Sequence, residues 1–425
     1  MKKTLIITAT AFVINAGFLC NQKKAISTAT MESDARVTLS YLASDELEGR
    51  GTGTAGERKA ADFIAGKFAG MNLQSKGDSG FFQNFNYVPH AGAQMHKTGD
   101  STSMGMGLVK EIHSRNVIAF LNNSSANTII IGAHYDHLGY GDENSLWTGE
   151  KAIHNGADDN ASGVAALIQL AGWLSRKPAG TVNNNYLFIA FSGEEKGLWG
   201  SNHFTKNPTI DLKSVNYMLN MDMVGRLNAE KAIAVNGVGT SPEWMKILPE
   251  IKVDDIKIVT SESGVGPSDH TSFYLSDIPV LHFFTGQHED YHKPSDDIEK
   301  INFKGLTSVI TYMQQVILML DTKGKIAFAK TKDATPAAAD FKVTLGVIPD
   351  YLYSGKGLRI DGAKEGRPAA NAGFVKGDVI MKMGDYPIED IYGYMEALGK
   401  FEKGQKTECL VLRDGKEIKL MVTWE

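Results

Sequence analysis

Four short, almost unbroken apolar runs occupy the middle of this chain, and they leave few folds open to it. They are Thr128–Ile131, Tyr186–Phe191, Tyr217–Met221 and Pro279–Phe284. Ala161–Leu174 lies between the first two and puts Val164, Leu167, Ile168, Ala171 and Leu174 on one helical face. Leu306–Leu320 reads as a closing helix. Strands apolar on both faces, separated by helices, predict an α/β fold: a mixed, largely parallel sheet flanked by helices. In such sheets the ligand site lies beyond the carboxyl ends of the strands.

Upstream, Asp34–Ala43 and Glu57–Met71 read as helices, and Phe81–Val88 and Asn116–Leu121 as strands. The polar stretch Ala91–Gly107 reads as a surface loop or short hairpin. Gly51-Thr52-Gly53-Thr54-Ala55-Gly56 formally matches a dinucleotide-binding fingerprint, but no strand precedes it, so a tight loop between helices is expected.

With 425 residues, two or three domains are expected. A net charge of -5 without a basic stripe argues against nucleic-acid binding. Lys2-Lys3, the apolar stretch Leu5–Leu19 and polar Asn21–Lys24 have the layout of a bacterial signal peptide, giving a leader over 1–29 and an exported protein, periplasmic or secreted. Cys20 is a candidate lipid-attachment site, although Leu19 stands where a small residue is wanted, and Ser27-Thr28-Ala29 offers a competing cleavage site. No later segment is long and apolar enough to span a bilayer. Cys409 is the only other cysteine, so a metal site in the mature chain must use carboxylates and imidazoles.

Those groups follow the apolar runs. His134-Tyr135-Asp136, Asp158-Asp159-Asn160, Glu194-Glu195, Asp222 and Tyr291-His292 each fall at a run's end or at a helix start. Two catalytic metal ions that share a carboxylate need about two histidines and three acids. His134, Asp159, Glu195, Asp222 and His292 supply that number, and Glu194 is left as a carboxylate placed to act as a base. Simpler roles stay open: Asp158-Asp159-Asn160 as a helix cap, Glu194-Glu195 as a solvated turn.

The segments Gly132–Asp136, Asn155–Gly163, Phe191–Glu195 with Gly197–Ser201, Asn220–Gly225, Ser268–Phe273 and Asp290–Asp297 resemble the M28 family of zinc aminopeptidases in order and separation. Leu47–Arg50 and Gly53–Gly56 fit as well, and the likeness runs from about Ala43 to Leu320. It implies two Zn2+, with His134 and Asp222 on one, Glu195 and His292 on the other, and Asp159 bridging. It implies Glu194 as general base, Asp136 as acceptor of the second imidazole N–H of His134, and Tyr291 as an aid to the oxyanion. The implied activity is hydrolysis of N-terminal residues from peptide substrates. Glutaminyl cyclases of the same fold carry Ser where this chain has Asn160.

Residues 323–340 read as a linker, and 341–425 resemble a small PDZ domain. The resemblance implies that Gly357, Leu358, Arg359 and Ile360 offer backbone amides to a peptide or protein C-terminus, with helix Ile391–Leu398 as the opposite wall. The peptidase unit is expected over 30–322. Competing readings are a carboxypeptidase or glutaminyl cyclase on the same fold, and a PDZ adaptor with an inactive peptidase domain.

Overall fold

A computed structural model describes residues 27–87, 111–141, 144–178, 180–331, 343–350, 353, 355–363 and 366–425. The leader up to residue 26 with Cys20, the Ala91–Gly107 segment and residues 332–340 of the expected linker lie outside the described residues.

The first unit is built on a nine-stranded sheet. Its strands are β1 (Gln74–Ser75), β2 (Phe82–Tyr87), β3 (Ile112–Leu121), β4 (Thr128–His134), β5 (Asn185–Phe191), β6 (Val215–Met221), β7 (Ala232–Asn236), β8 (Lys257–Ser261) and β9 (Val280–Phe284). The order is β1-β3-β5-β4-β6-β9-β7-β8, with β2 also on β3. The centre, β5-β4-β6-β9, is parallel, while β1, β2 and β3 on one side and β7 against β9 on the other run antiparallel. The sheet is therefore mixed, with the expected parallel core. β7 and β8 were not expected: the apolar run of β7 is only Ala232–Val235, and β8 is half exposed.

Period-two side-chain alternation explains why the central strands are apolar throughout. Ile129, Ile131, Phe188, Leu219 and Phe283 join one core with helices α1 (Thr28–Leu42), α2 (Ala55–Gly70) and α3 (Gly163–Ser175), and with α7 (Phe303–Leu320) near the end of the unit. Ile130, Leu187, Ile189, Met218 and Val280 face the other way. They meet Phe204 of α4 (Trp199–Lys206) and Phe273 and Tyr274 of α6 (His270–Tyr274). The short α5 (Trp244–Ile247) closes the first core. α1 begins six residues before the expected Asp34, because the Ser27 hydroxyl accepts from the amide of Thr30. α3 begins two residues late, because Asp159 and Asn160 leave helical geometry.

Part of the expected linker is docked on this unit. The Ile326 amide donates to Asn216, the Ala329 amide to the carbonyl of Thr240, and the Thr331 hydroxyl to that of Tyr274.

The second unit is a six-stranded antiparallel sheet with its own core, which includes Leu345, Ile360, Ile380, Val411 and Trp424. Its elements are β10 (Val347–Pro349), β11 (Leu358–Ala363), α8 (Pro368–Ala372), β12 (Val379–Met383), β13 (Tyr386–Pro387), α9 (Ile391–Leu398), β14 (Lys406–Arg413) and β15 (Lys416–Thr423). One expectation fails here. The amides of Gly357 and Ile360 are not free: β11 lies between β10 and β12, the Gly357 amide donates to Glu389 and the Ile360 amide to Asp378. An amide donates once, so these cannot pair a peptide strand. The strands at the two ends of this sheet are β10 and β15. Gly357, Leu358 and Arg359 still line a cleft of about 670 Å³ opposite Ile391 and Glu396, with Glu262 and Pro267 of the first unit on its far side.

Glu57 ties α2 to the sheet. Its carboxyl accepts from the Gly53 amide and from the hydroxyls of Ser114 and Ser192, and burial pushes it up to about 7. The unfolded chain loses this proton near pH 4.5 and the native protein only near 7, so stability should fall as pH rises through that window. The fall is about 3.5 kcal/mol at most, from about 1.4 kcal/mol per unit. Glu57→Gln should lack this slope. Urea denaturation of both metal-free proteins from pH 4.5 to 8 should show the variant gaining on the parent as pH rises.

Candidate metal centre

The carboxyl ends of β4, β5, β6 and β9 come side by side, and each delivers part of one buried site. His134 is the last residue of β4, and Asp222 directly follows β6. After β5 the chain turns sharply at Gly193, whose φ is +69° and where a Cβ would stand 3.0 Å from Trp199, and it delivers Glu194 and Glu195. His292 comes from the loop beyond β9, and Asp159 from the irregular turn before α3.

The donor atoms converge. His134 Nε2 lies 3.3 Å from Asp159 Oδ1 and 3.3 Å from Asp222 Oδ1. His292 Nε2 lies 3.2 Å from Asp159 Oδ2 and 3.3 Å from Glu195 Oε2. The two oxygens of Asp159 thus face different histidines. Spacings of this size match ligands about 2 Å from a shared zinc ion. The structure brings all five sequence-predicted ligands together in this way.

Neighbouring acids are separated by their partners. Asp158 turns away: its Oδ1 accepts from the Gly225 amide, and its Oδ2 lies 3.2 Å from His288 Nε2. Asn160 holds the turn against β6, donating to the Met221 carbonyl and accepting from the amides of Met223 and Gly163. Asp296 accepts from the amides of both Asp158 and Asp159. Glu194 Oε2 stays 4.0 Å from His134 Nε2, outside the set of short contacts.

Burial would raise Asp159, but the hydrogen bonds from His134 and His292 bring it well below the usual carboxylate range. Burial likewise opposes ionisation of Glu195, yet His292 holds it down at about 2. Glu194 moves the other way. Burial, with Asp222 and Glu195 adding, outweighs His134 and raises it well above its ordinary value.

Asp136 departs in detail from its expected role. The nearest acceptor to His134 Nδ1 is the backbone carbonyl of Asp136 at 3.3 Å, and the carboxylate stands at 3.8 Å. That carboxylate instead accepts from the Thr52 hydroxyl and the Glu194 amide, which links the β4 and β5 loops. Tyr291 lies at the mouth of the pocket with Met223, Pro267, His282, Phe284 and Gln287, and its ring stacks on His292 at 3.8 Å.

Sequence reasoning missed three contributors. His137 is fully buried with Nδ1 2.7 Å from Glu195 Oε1. It is three residues from His134, and that spacing alone gives it no role. His288 escaped notice because its partner is the outward-turned Asp158. Arg50 was seen only as part of a short motif. Its guanidinium is fully buried and donates to the carbonyls of Leu42, Tyr135, Asn155 and Gly156. Burial pulls it down to about 10, while Asp159, Asp136, Asp296 and Glu195 hold it up, so it is a cation at neutral pH.

Residues 116–317 match the family model described as Peptidase family M28, and residues 321–423 match a PDZ domain model. A probable leucine aminopeptidase of Arthroderma benhamiae is 32% identical over 222 residues, 50% of this chain and 53% of that protein. The chain thus spans about half the length of that curated relative. BSAP, a zinc aminopeptidase from Bacillus subtilis, superposes with a TM-score of 0.53 at 21% identity, covering 70% of this chain and 98% of that one. A glutaminyl cyclase of Porphyromonas gingivalis gives 0.51 at 14%, covering 69% and 98%. These likenesses establish a shared fold.

Arg50 bonds the loops carrying His134 and Asp159 while countering their charge. Arg50→Met should cost about 3–5 kcal/mol, the range for breaking a buried charged network. Urea denaturation of the metal-free variant measures this, and Arg50→Lys, which keeps the charge but not the fork of donors, should recover only part.

Proposed function

Because residues 116–317 match the peptidase family M28 model and residues 321–423 a PDZ domain model, we propose that this protein is an exported zinc aminopeptidase with a dinuclear centre and Glu194 as its general base. The observation that carries the reading is the disposition of Asp159, with one oxygen toward His134 and the other toward His292. A carboxylate so placed can serve two ions at once.

The donor set fits zinc: two imidazoles and three carboxylates, all but Asp222 nearly closed to solvent. His134 with Asp222 would hold one ion, His292 with Glu195 the other, and Asp159 would bridge. When bound, such a pair polarises a carbonyl and lowers the pKa of water.

The remaining steps belong to this chain's own groups. Glu194 lies at the edge of the set and makes none of its short contacts, so its Oε2 is available to take a proton from the attacking water and return it to the departing amine. The raised affinity of this carboxyl for protons suits that return. Met223, Pro267 and Phe284 give the pocket an apolar wall for the side chain of the departing residue. Tyr291, which lines the pocket beside His292, would donate from its hydroxyl to the developing oxyanion. The PDZ unit would receive a peptide segment in the cleft between β11 and α9. Among the described residues no helix is long and apolar enough to cross a membrane. Export rests on the leader expected over 1–29.

Purified protein should bind two zinc ions per chain and release amino acids from short peptides and aminoacyl anilides, while N-blocked peptides stay intact. Glu194→Gln should keep both ions and lose at least about 100-fold in kcat, the lower end of what a positioned acid–base group supplies. Metal analysis beside steady-state kinetics checks both, and cleavage confined to blocked peptides would sink the reading.

A further inference from the structure

His134, His137 and His292 enclose the site, but they do not face it in the same way. His134 and His292 turn Nε2 inward and Nδ1 back toward carbonyls, that of Asp136 at 3.3 Å and that of Asn144 at 2.8 Å. This is how a ligating imidazole is held, with its second nitrogen donating to an acceptor behind it. His137 is reversed. Its Nδ1 points inward, 2.7 Å from Glu195 Oε1 and 3.9 Å from Asp159 Oδ2, and its Nε2 is buried without a partner.

The reversal decides its chemistry. If Nδ1 gave its lone pair to an ion, the proton would sit on Nε2, a buried donor with no acceptor, which costs about 1–3 kcal/mol. With the proton on Nδ1 the donor meets Glu195, and Nε2 keeps only an unused lone pair. The ring has little freedom to turn over. The His137 amide donates to the Arg50 carbonyl, and a Cβ on Gly156 would lie 2.5 Å from its Cδ2, so the ring rests directly on that glycine.

We infer that His137 is a positioning residue: its Nδ1–H occupies Oε1 of Glu195 and leaves only Oε2 for the second metal ion, so that Glu195 binds through one oxygen. This rests on the dinuclear reading above. Its consequence is an open coordination position on that ion, because the carboxylate cannot swing to grip with both oxygens.

The test uses full-length protein loaded with cobalt in place of zinc, read by visible absorption and by competition with a chelator. His137→Leu should still bind two ions. It should hold the weaker one about 10–100-fold less tightly, the usual effect of losing such a support. Its cobalt absorption should weaken as Glu195 becomes bidentate and coordination number rises. His137→Gln, which keeps an N–H donor, should recover part of both. An unchanged spectrum with unchanged affinity in His137→Leu overturns the inference, as does a variant that binds a single ion, which would make His137 a ligand. A parent protein that binds fewer than two ions would instead bring down the dinuclear reading.

Discussion

Everything at this site depends on keeping several carboxylates together away from water. Asp136, Asp158, Asp159 and Asp296 are each no more than 3% exposed, and Glu195 is 8% exposed. At an effective dielectric near 20, two unit charges 4 Å apart interact by about 4 kcal/mol, so the cluster could not persist without cations and directed hydrogen bonds. The chain supplies one permanent cation in Arg50 and surrounds the rest with imidazoles and backbone amides. In the metal-free protein the acids around them raise His134 and His292 well above their ordinary range against the effect of burial, so the imidazoles carry charge that bound dications would otherwise provide.

The sheet makes the gathering possible. Four adjacent parallel strands end at one level, so residues far apart in sequence become neighbours. Cores on both faces of the sheet call for strands that are almost wholly apolar. The polar residues are then confined to the strand ends, where Asn160, Asp296 and Arg50 lock the loops to one another.

The parts of this arrangement that rest on local pattern were legible in the sequence. The central strands and the helices show as runs and periods, and the five donors show as clusters following them. What the pattern could not supply was set by long-range contact. Arg50 meets Asn155 and Gly156 more than a hundred residues away. His137 owes its role to the direction its ring faces. β7 was hidden because its apolar run is only four residues long, and β8 because a half-exposed strand carries no such run. Gly357–Ile360 misled for a related reason: the sequence marks a strand there, but which strand has an open edge is a property of the whole sheet.

Glu194 and Glu195 show how finely the backbone divides one chemistry into two. The two are consecutive and identical in type, and burial opposes ionisation of both. Glu195 lies against His292 and His137, and two imidazoles more than offset the burial. Glu194 has only His134 at 4.0 Å, with Asp222 and Glu195 as further negative neighbours, and its proton is held more tightly. A single step along the chain therefore separates a group fitted to bind cations from one fitted to exchange protons. Pairs of acids pushed apart in this way mark the division of labour in acid–base catalysis. Here the division follows from the turn at Gly193, which sends successive side chains to opposite edges of the pocket.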